Sequence, residues 1–287
     1  MFIKDILQQN PRSFSFEFFP PSTPEGFESL YESIEALKSL NPTFVSVTYG
    51  TGGKTREKTI NLVSDIVNKI GTEAMAHLTC LRSSKEEIDE ILTSLTKNNV
   101  DNIMALRGDQ PKGYTTFPED EGHFQHAIQL VEFIKSNYNQ CIGVAGYPET
   151  HQEAFSQLTD LEYLKLKVEA GADFVITQLF FDNSSYFEFM DKAIGMGIKV
   201  PIIPGIMPIT NVNQIVKITK LSGAKIPQPM LDKLYSIQDN PKSVEQFGIE
   251  FSLLQCQELL DNNSPGIHFY TLNRSRSTWK ILQSLQG

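Results

Sequence analysis

Short apolar runs alternate with segments of helical spacing along the whole chain. Ser13-Phe14-Ser15-Phe16-Glu17-Phe18 repeats with period two, phenylalanines on one face and Ser13, Ser15 and Glu17 on the other. The phenylalanine face is the expected core face. Pro20 and Pro21 end this strand. Ser22-Thr23-Pro24-Glu25 then reads as a capping box with an early proline. Phe27, Leu30, Tyr31, Ile34 and Leu37 follow on one helical stripe.

The same unit recurs to the end of the chain. Strands are expected over 43–48, 73–79, 102–106, 141–145, 174–178, 202–206 and 267–272. Between them the spacing predicts helices near 56–70, after the cap Ser84-x-x-Glu87, and near 122–137, 158–170, 184–196 and 211–221. A longer helical stretch covers 230–261, and a last helix ends the chain. Eight strand-helix units imply a parallel sheet with helices outside. Eight such units in 287 residues predict one closed (β/α)8 barrel of the TIM type, a single domain over 1–287. A doubly wound open sheet is the alternative, but no GxGxxG opens a helix, so a Rossmann reading has no support.

Composition narrows the class. The chain is 40% hydrophobic and 21% charged, ordinary for a globular protein. Its net charge of −9, without a Lys/Arg cluster, argues against a nucleic-acid partner. No apolar run approaches the ~18 residues of a membrane span, and Met1-Phe2-Ile3-Lys4-Asp5 does not begin a signal peptide. Cys80, Cys141 and Cys256 are an odd set without CxxC spacing, which points to a reducing cytoplasm and to no disulfide frame.

In a barrel of this kind the active site lies at the C-terminal strand ends. Those ends carry Glu17, Thr48, His77, Thr79, Arg107, Asp109, Tyr147, Glu149, His151, Gln178, Asn273 and Arg274. Strand ends meet loops, so any one of these is as readily structural. Glu17 is harder to dismiss. A lone carboxylate among phenylalanines and prolines is desolvated and raised in pKa unless paired. Gln178, between apolar runs, needs partners for its amide.

Three motif lookalikes lead elsewhere. Gly52-Gly53-Lys54-Thr55 ends like a P-loop, but Thr48 stands where the first glycine belongs. Arg107-Gly108-Asp109 spells an adhesion tripeptide immediately after a buried strand. His123-x-x-His126 lacks a third metal ligand and reads as a helix start.

Taken together, several motifs resemble the 5,10-methylenetetrahydrofolate reductase family. They are Ser15-Phe16-Glu17-Phe18-Phe19-Pro20-Pro21, Ser46-Val47-Thr48-Tyr49-Gly50, His77-Leu78-Thr79-Cys80 and Ala105-Leu106-Arg107-Gly108-Asp109. Farther on come Val144-Ala145-Gly146-Tyr147-Pro148-Glu149, Thr177-Gln178-Leu179-Phe180-Phe181-Asp182, Ile203-Pro204-Gly205-Ile206 and His268-Phe269-Tyr270-Thr271-Leu272-Asn273-Arg274. They run in order from about residue 13 to residue 274.

The resemblance implies a (β/α)8 barrel carrying non-covalent FAD. NADH or NADPH reduces the flavin, which then passes a hydride to 5,10-methylenetetrahydrofolate and yields 5-methyltetrahydrofolate for methionine synthesis. It implies Glu17 as general acid and Asp109 as the carboxylate near flavin and pterin. Thr48, Tyr49, His77, Arg107, Gly108, Asp109, His126, Ala127, Tyr147, His151, Asp160 and Lys167 are the implied FAD contacts. Glu17, Thr48, Asp109, Gln178, Gln214 and Arg274 are the implied substrate contacts. Lys165 and Lys167 could neutralise a pyrophosphate. A homo-oligomer, with no metal and no C-terminal regulatory domain, is also implied. The chain departs from the pattern at His126, where many members have tyrosine, and at Ile218, where some have phenylalanine. The loop after Asp109 is also longer than in the shortest bacterial members.

Overall fold

The period-two alternation of the apolar runs is carried out around a ring. A computed structural model describes residues 1–10, 12–49, 53–109 and 123–286. Its strands are β1 (Ser13–Phe18), β2 (Phe44–Val47), β3 (Ala74–Thr79), β4 (Asn102–Leu106), β5 (Cys141–Gly146), β6 (Phe174–Thr177), β7 (Ile202–Ile203), β8 (Gly205–Ile206) and β9 (Gly266–Tyr270). Every pairing between these strands is parallel, in the order β7-β6-β5-β4-β3-β2-β1-β9-β8.

The expected strand 202–206 is broken by Pro204 into β7 and β8. β7 pairs with β6 and β8 with β9, so the two halves of one stave close the ring. Proline has no N–H to give the ladder. Its carbonyl accepts from His268 N at 2.9 Å, and Gly205 N donates to Thr177 Oγ1 at 3.0 Å. A Cβ at Gly205 would overlap the Thr177 carbonyl oxygen and lie 2.6 Å from the Tyr270 ring. The result is the expected (β/α)8 barrel.

Outward residues, among them Phe16, Phe18, Val45, Val47, Ala76, Leu78, Ile103 and Val144, form one core with the surrounding helices. These helices are α2 (Pro24–Lys38), α3 (Gly53–Asp65), α4 (Lys85–Lys97), α5 (Ala127–Asn137), α6 (Gln157–Glu169), α7 (Asn183–Gly195), α8 (Val212–Ser222), α9 (Gln228–Ile237), α10 (Pro241–Asp261) and α11 (Ser275–Gln286). Inward residues Phe44, Met75, Met104, Phe174, Ile176 and Ile203 fill the lower barrel. A short helix, α1 (Ile3–Gln9), sits under this filling and contributes Ile3 and Leu7. It is fixed by Ile3 N donating to Asn102 Oδ1 at 2.8 Å and by Lys4 pairing with Asp173 at 3.2 Å. Seven residues are too few for a helical stripe to announce itself, and the sequence pattern predicts no element there.

Four helix boundaries differ from expectation. Thr23, not Ser22, caps α2, accepting from Gly26 N at 3.2 Å with Pro24 at the first position. The helix expected from 56 to 70 is α3 followed by a π-helical turn, Ile66–Ile70. The stretch 230–261 is two helices, because Asn240 caps a new start at Pro241. The helix expected at 122–137 begins at Ala127. His123 instead bridges Ser84, so His123 and His126 do not share a helical turn. The capping box Ser84–Glu87 forms as expected. The long loop after Asp109, Gly50 and Gly52 of the P-loop lookalike fall outside the described residues, and the lookalike's Gly53, Lys54 and Thr55 begin α3.

Candidate active site

Two cavities open at the C-terminal end of the barrel and share Leu106, Ala145 and Tyr147 as walls. The first, about 390 Å³, is lined by Glu17, Thr48, His77, Asp109, Tyr147 and Gln178, with an apolar wall that includes Met104, Ile176, Leu179, Met207 and Ile218. The second, about 240 Å³, is lined by Arg107, His126, Ala127, Tyr147, His151, Asp160 and Lys167, with Glu153 and Tyr163.

Strand alternation places the first set. On β1, Ser13, Ser15 and Glu17 turn inward while the phenylalanines face the helices. Glu17 stands opposite Ser46 and Tyr270 in the ladder. It is not a lone carboxylate: its Oε2 lies 3.4 Å from His77 Nε2 and 3.6 Å from His268 Nε2. Burial pushes the His77 imidazole below its ordinary pKa, favouring the neutral ring; Glu17 works against that shift. Among the described residues, His77 Nε2 has no hydrogen-bond partner of good geometry. The backbone of Glu17 is held as well, its carbonyl accepting from Thr271 Oγ1 at 2.6 Å. Asn273 clasps the next loop, bonding both Phe19 N (2.9 Å) and Phe19 O (2.7 Å). Gln178 satisfies part of its amide locally, Oε1 accepting from Leu179 N at 2.9 Å.

The second cavity holds the cations. Lys167 Nζ donates to Ala145 O at 2.7 Å, and burial lowers its pKa to about 8 against the pull of Asp160. Asp160 accepts from His151 N at 2.8 Å, and burial raises its carboxyl pKa. Arg107 pairs with Glu153 at 2.6 Å. Tyr147 packs edge-on against His151, ring centroids 4.6 Å apart. Lys165 does not join this set; it pairs with Glu169 at 3.7 Å on the outer face of α6. One cleft thus combines a carboxyl group flanked by two histidines with a cationic, aromatic-walled extension.

The sequence pattern of methylenetetrahydrofolate reductase matches residues 2–286. This chain belongs to the methylenetetrahydrofolate reductase family. Methylenetetrahydrofolate reductase (NADH) 1 of Arabidopsis thaliana is 40% identical over 294 residues, covering 99% of this chain and 50% of the plant protein. The 5,10-methylenetetrahydrofolate reductase of Escherichia coli K12 is 39% identical over 271 residues, covering 94% of this chain and 90% of that one. The chain spans about half the length of the plant and fission-yeast relatives it matches. Among solved structures, a Clostridium thermocellum protein that binds two copies of 5-methyl-5,6,7,8-tetrahydrofolic acid superposes with a TM-score of 0.65 at 15% identity. It covers 99% of this chain and 97% of its own, a likeness of fold.

Within this methylenetetrahydrofolate reductase barrel, four expected site residues stand outside both linings. Tyr49 packs against the outer core. Gly108 takes φ +88 beside Thr79 and accepts from Arg107 Nε at 3.2 Å. Gln214 lies in the first turn of α8, one and two turns before Ile218 and Leu221, which do line the first cavity. Arg274 is exposed and reaches Thr210 Oγ1 at 3.5 Å. Several lining residues, among them His268, Tyr270 and Glu153, are absent from the sequence-based set. His268 and Tyr270 share the inward parity of β9 opposite Ile267 and Phe269, so alternation alone would have found them. Glu153 is a loop acid that nothing local distinguishes. Among the described residues, no group of three His, Cys, Asp or Glu side chains could hold a metal ion, and no helix is long and apolar enough to cross a membrane.

Proposed function

We propose that this protein reduces 5,10-methylenetetrahydrofolate to 5-methyltetrahydrofolate with NADH as electron donor, through non-covalently bound FAD. The observation that carries the reading is the paired cavity: Glu17 on the floor of one part, Arg107 and Lys167 in the other, Tyr147 between them. The second cavity suits a dinucleotide. Lys167 is a half-buried cation anchored by a backbone carbonyl, Arg107 pairs with Glu153 beside it, and Tyr147 and His151 offer ring faces and edges. When bound, FAD supplies the hydride relay from NADH to the folate.

The chain's own residues do the rest. Glu17 gives a proton to N10 of the folate; the N10–methylene bond breaks, and its electron pair stays on N10. The methylene carbon, now an N5 iminium, accepts hydride and becomes the methyl group. Asp109 accepts hydrogen bonds from the 2-amino pyrimidine edge of the pterin. Gln178 orients the same ring system, with Thr48 beside it. Leu179, Met207 and Ile218 supply the apolar wall that excludes water. Gln214 and Arg274, outside both linings, are the residues this reading assigns to the far end of the folate. The same reading carries with it a cytoplasmic homo-oligomer, whose size sedimentation equilibrium reports.

The test separates the half-reactions. Under anaerobic conditions NADH bleaches the flavin, and methylenetetrahydrofolate then restores its colour. Glu17→Gln keeps the shape but has no acidic proton. Its flavin bleaches near the wild-type rate, and the folate step slows by ~10²–10⁴, about 3–5 kcal/mol of barrier. A colourless protein, or wild-type flavin that methylenetetrahydrofolate does not reoxidise, refutes the proposal.

A further inference from the structure

His268 sits at the middle of β9, fully buried, opposite Ser15 in the ladder. Its Nδ1 is 2.8 Å from Ser15 Oγ, while Nε2 is 3.5 Å from Ser46 Oγ and 3.6 Å from Glu17 Oε2. The ring stacks on Phe44, centroids 6.0 Å apart and planes 18° from parallel, and meets Tyr270 edge-on at 5.4 Å. Packing therefore fixes the ring plane, and both nitrogens have defined neighbours. From β3, His77 brings its own Nε2 to 3.4 Å from the same Oε2. Both contacts of the Glu17 carboxyl thus fall on one oxygen.

A neutral imidazole has one donor nitrogen and one acceptor nitrogen, and the bond made by one decides the state of the other. The Ser15 hydroxyl can donate to Nδ1; in the tautomer where it does, the ring proton resides on Nε2, which lies 3.6 Å from Glu17 Oε2. An oxygen that accepts from an N–H is the poorer place for the carboxyl's own proton. We propose that His268, with Ser15 donating to its Nδ1 and its own Nε2–H turned to Oε2, is a positioning residue for Glu17: it holds Oε2 as an acceptor and so leaves the acidic proton on Oε1, free for the substrate. At 3.6 Å this contact is long, as such bonds often are before the reacting complex forms. Among the described residues His77 has no second partner that fixes its tautomer, and it is not assigned this part.

The inference rests on the reading of Glu17 as proton donor, and its test is read against that one. Flavin-loaded wild type, Glu17→Gln, His268→Leu, His268→Gln and Ser15→Ala are compared by stopped-flow for both half-reactions. In His268→Leu the folate step slows about 10- to 100-fold relative to the NADH step, the range for a misaligned reacting group. In His268→Gln an amide N–H replaces Nε2–H and recovers most of that loss. Ser15→Ala falls between, because Nδ1 loses its hydroxyl partner; it also decides the matter if His268→Leu does not fold.

A wild-type ratio in folded His268→Leu or Ser15→Ala overturns the inference. So does equal slowing of both steps, which marks a structural role, and so does a His268→Gln variant as slow as His268→Leu. If Glu17→Gln stalls while the His268 variants do not, this inference alone fails. If Glu17→Gln does not stall, the general-acid reading fails first.

Discussion

Lys167 is held at a cost that FAD binding would offset, and removing it should stabilise the empty protein. Its pKa falls from 10.5 to about 8 because burial disfavours the ammonium form, against the opposing pull of Asp160. A tenfold change in proton affinity corresponds to about 1.4 kcal/mol, so the charged amine destabilises the fold by about 3 kcal/mol at most. Its partial solvent contact along the cavity makes that an upper limit. Below pH 8 the amine is charged in both folded and unfolded chains, and the full penalty applies. Between about pH 8 and 10.5 the folded protein has released the proton and the unfolded chain still binds it, so stability rises with pH. Above that window the penalty is gone. Lys167→Met abolishes the penalty but also loses the bond to Ala145 O, about 1 kcal/mol.

The flavin-free variant should therefore be about 1–2 kcal/mol more stable than wild type at pH 7. That advantage should shrink as pH rises from 8 toward 10. Urea unfolding of flavin-stripped wild type and variant at pH 7, 8, 9 and 10 measures both. The same variant should retain FAD more weakly, read by flavin fluorescence after dilution. A variant less stable at pH 7, or two proteins with parallel pH profiles, would show that the amine is not desolvated as the geometry requires.

Two other variants test the first cavity and the closure of the barrel. Asp109→Asn removes a negative charge from the first cavity; the bound flavin's reduction potential should rise, and folate affinity should fall about 10- to 100-fold as a charged acceptor is lost. Potentiometry and folate titration report these, and no change in either would move Asp109 away from the reacting rings. Gly205→Ala forces a Cβ into the Thr177 carbonyl and the Tyr270 ring where β8 closes the barrel; a loss of about 1–3 kcal/mol in denaturant stability is expected, and a neutral result would mean the closure yields easily.

The sequence by itself determined the number of strand-helix units, their order and the inward parity of Glu17. These follow from period two and period 3.6, which are local properties of the chain. It also carried the motifs that gather at one end of the barrel, because a parallel sheet puts every strand's C-terminus on the same side. Three matters belonged to the tertiary structure alone. The plug α1 is stable only because the apolar filling of the lower barrel packs against Ile3 and Leu7 and Asn102 takes the N–H of Ile3. The seventh stave is two short strands, because Pro204 cannot donate and each half pairs with a different neighbour. The division of one run of polar strand ends into a carboxyl-floored cavity and a cationic one depends on which loops fold over which strands. Lys165 and Lys167, two positions apart, show the reason. A helix turns ~200° in two residues, so one lysine faces solvent and the other the barrel wall, and only the packing of α6 says which.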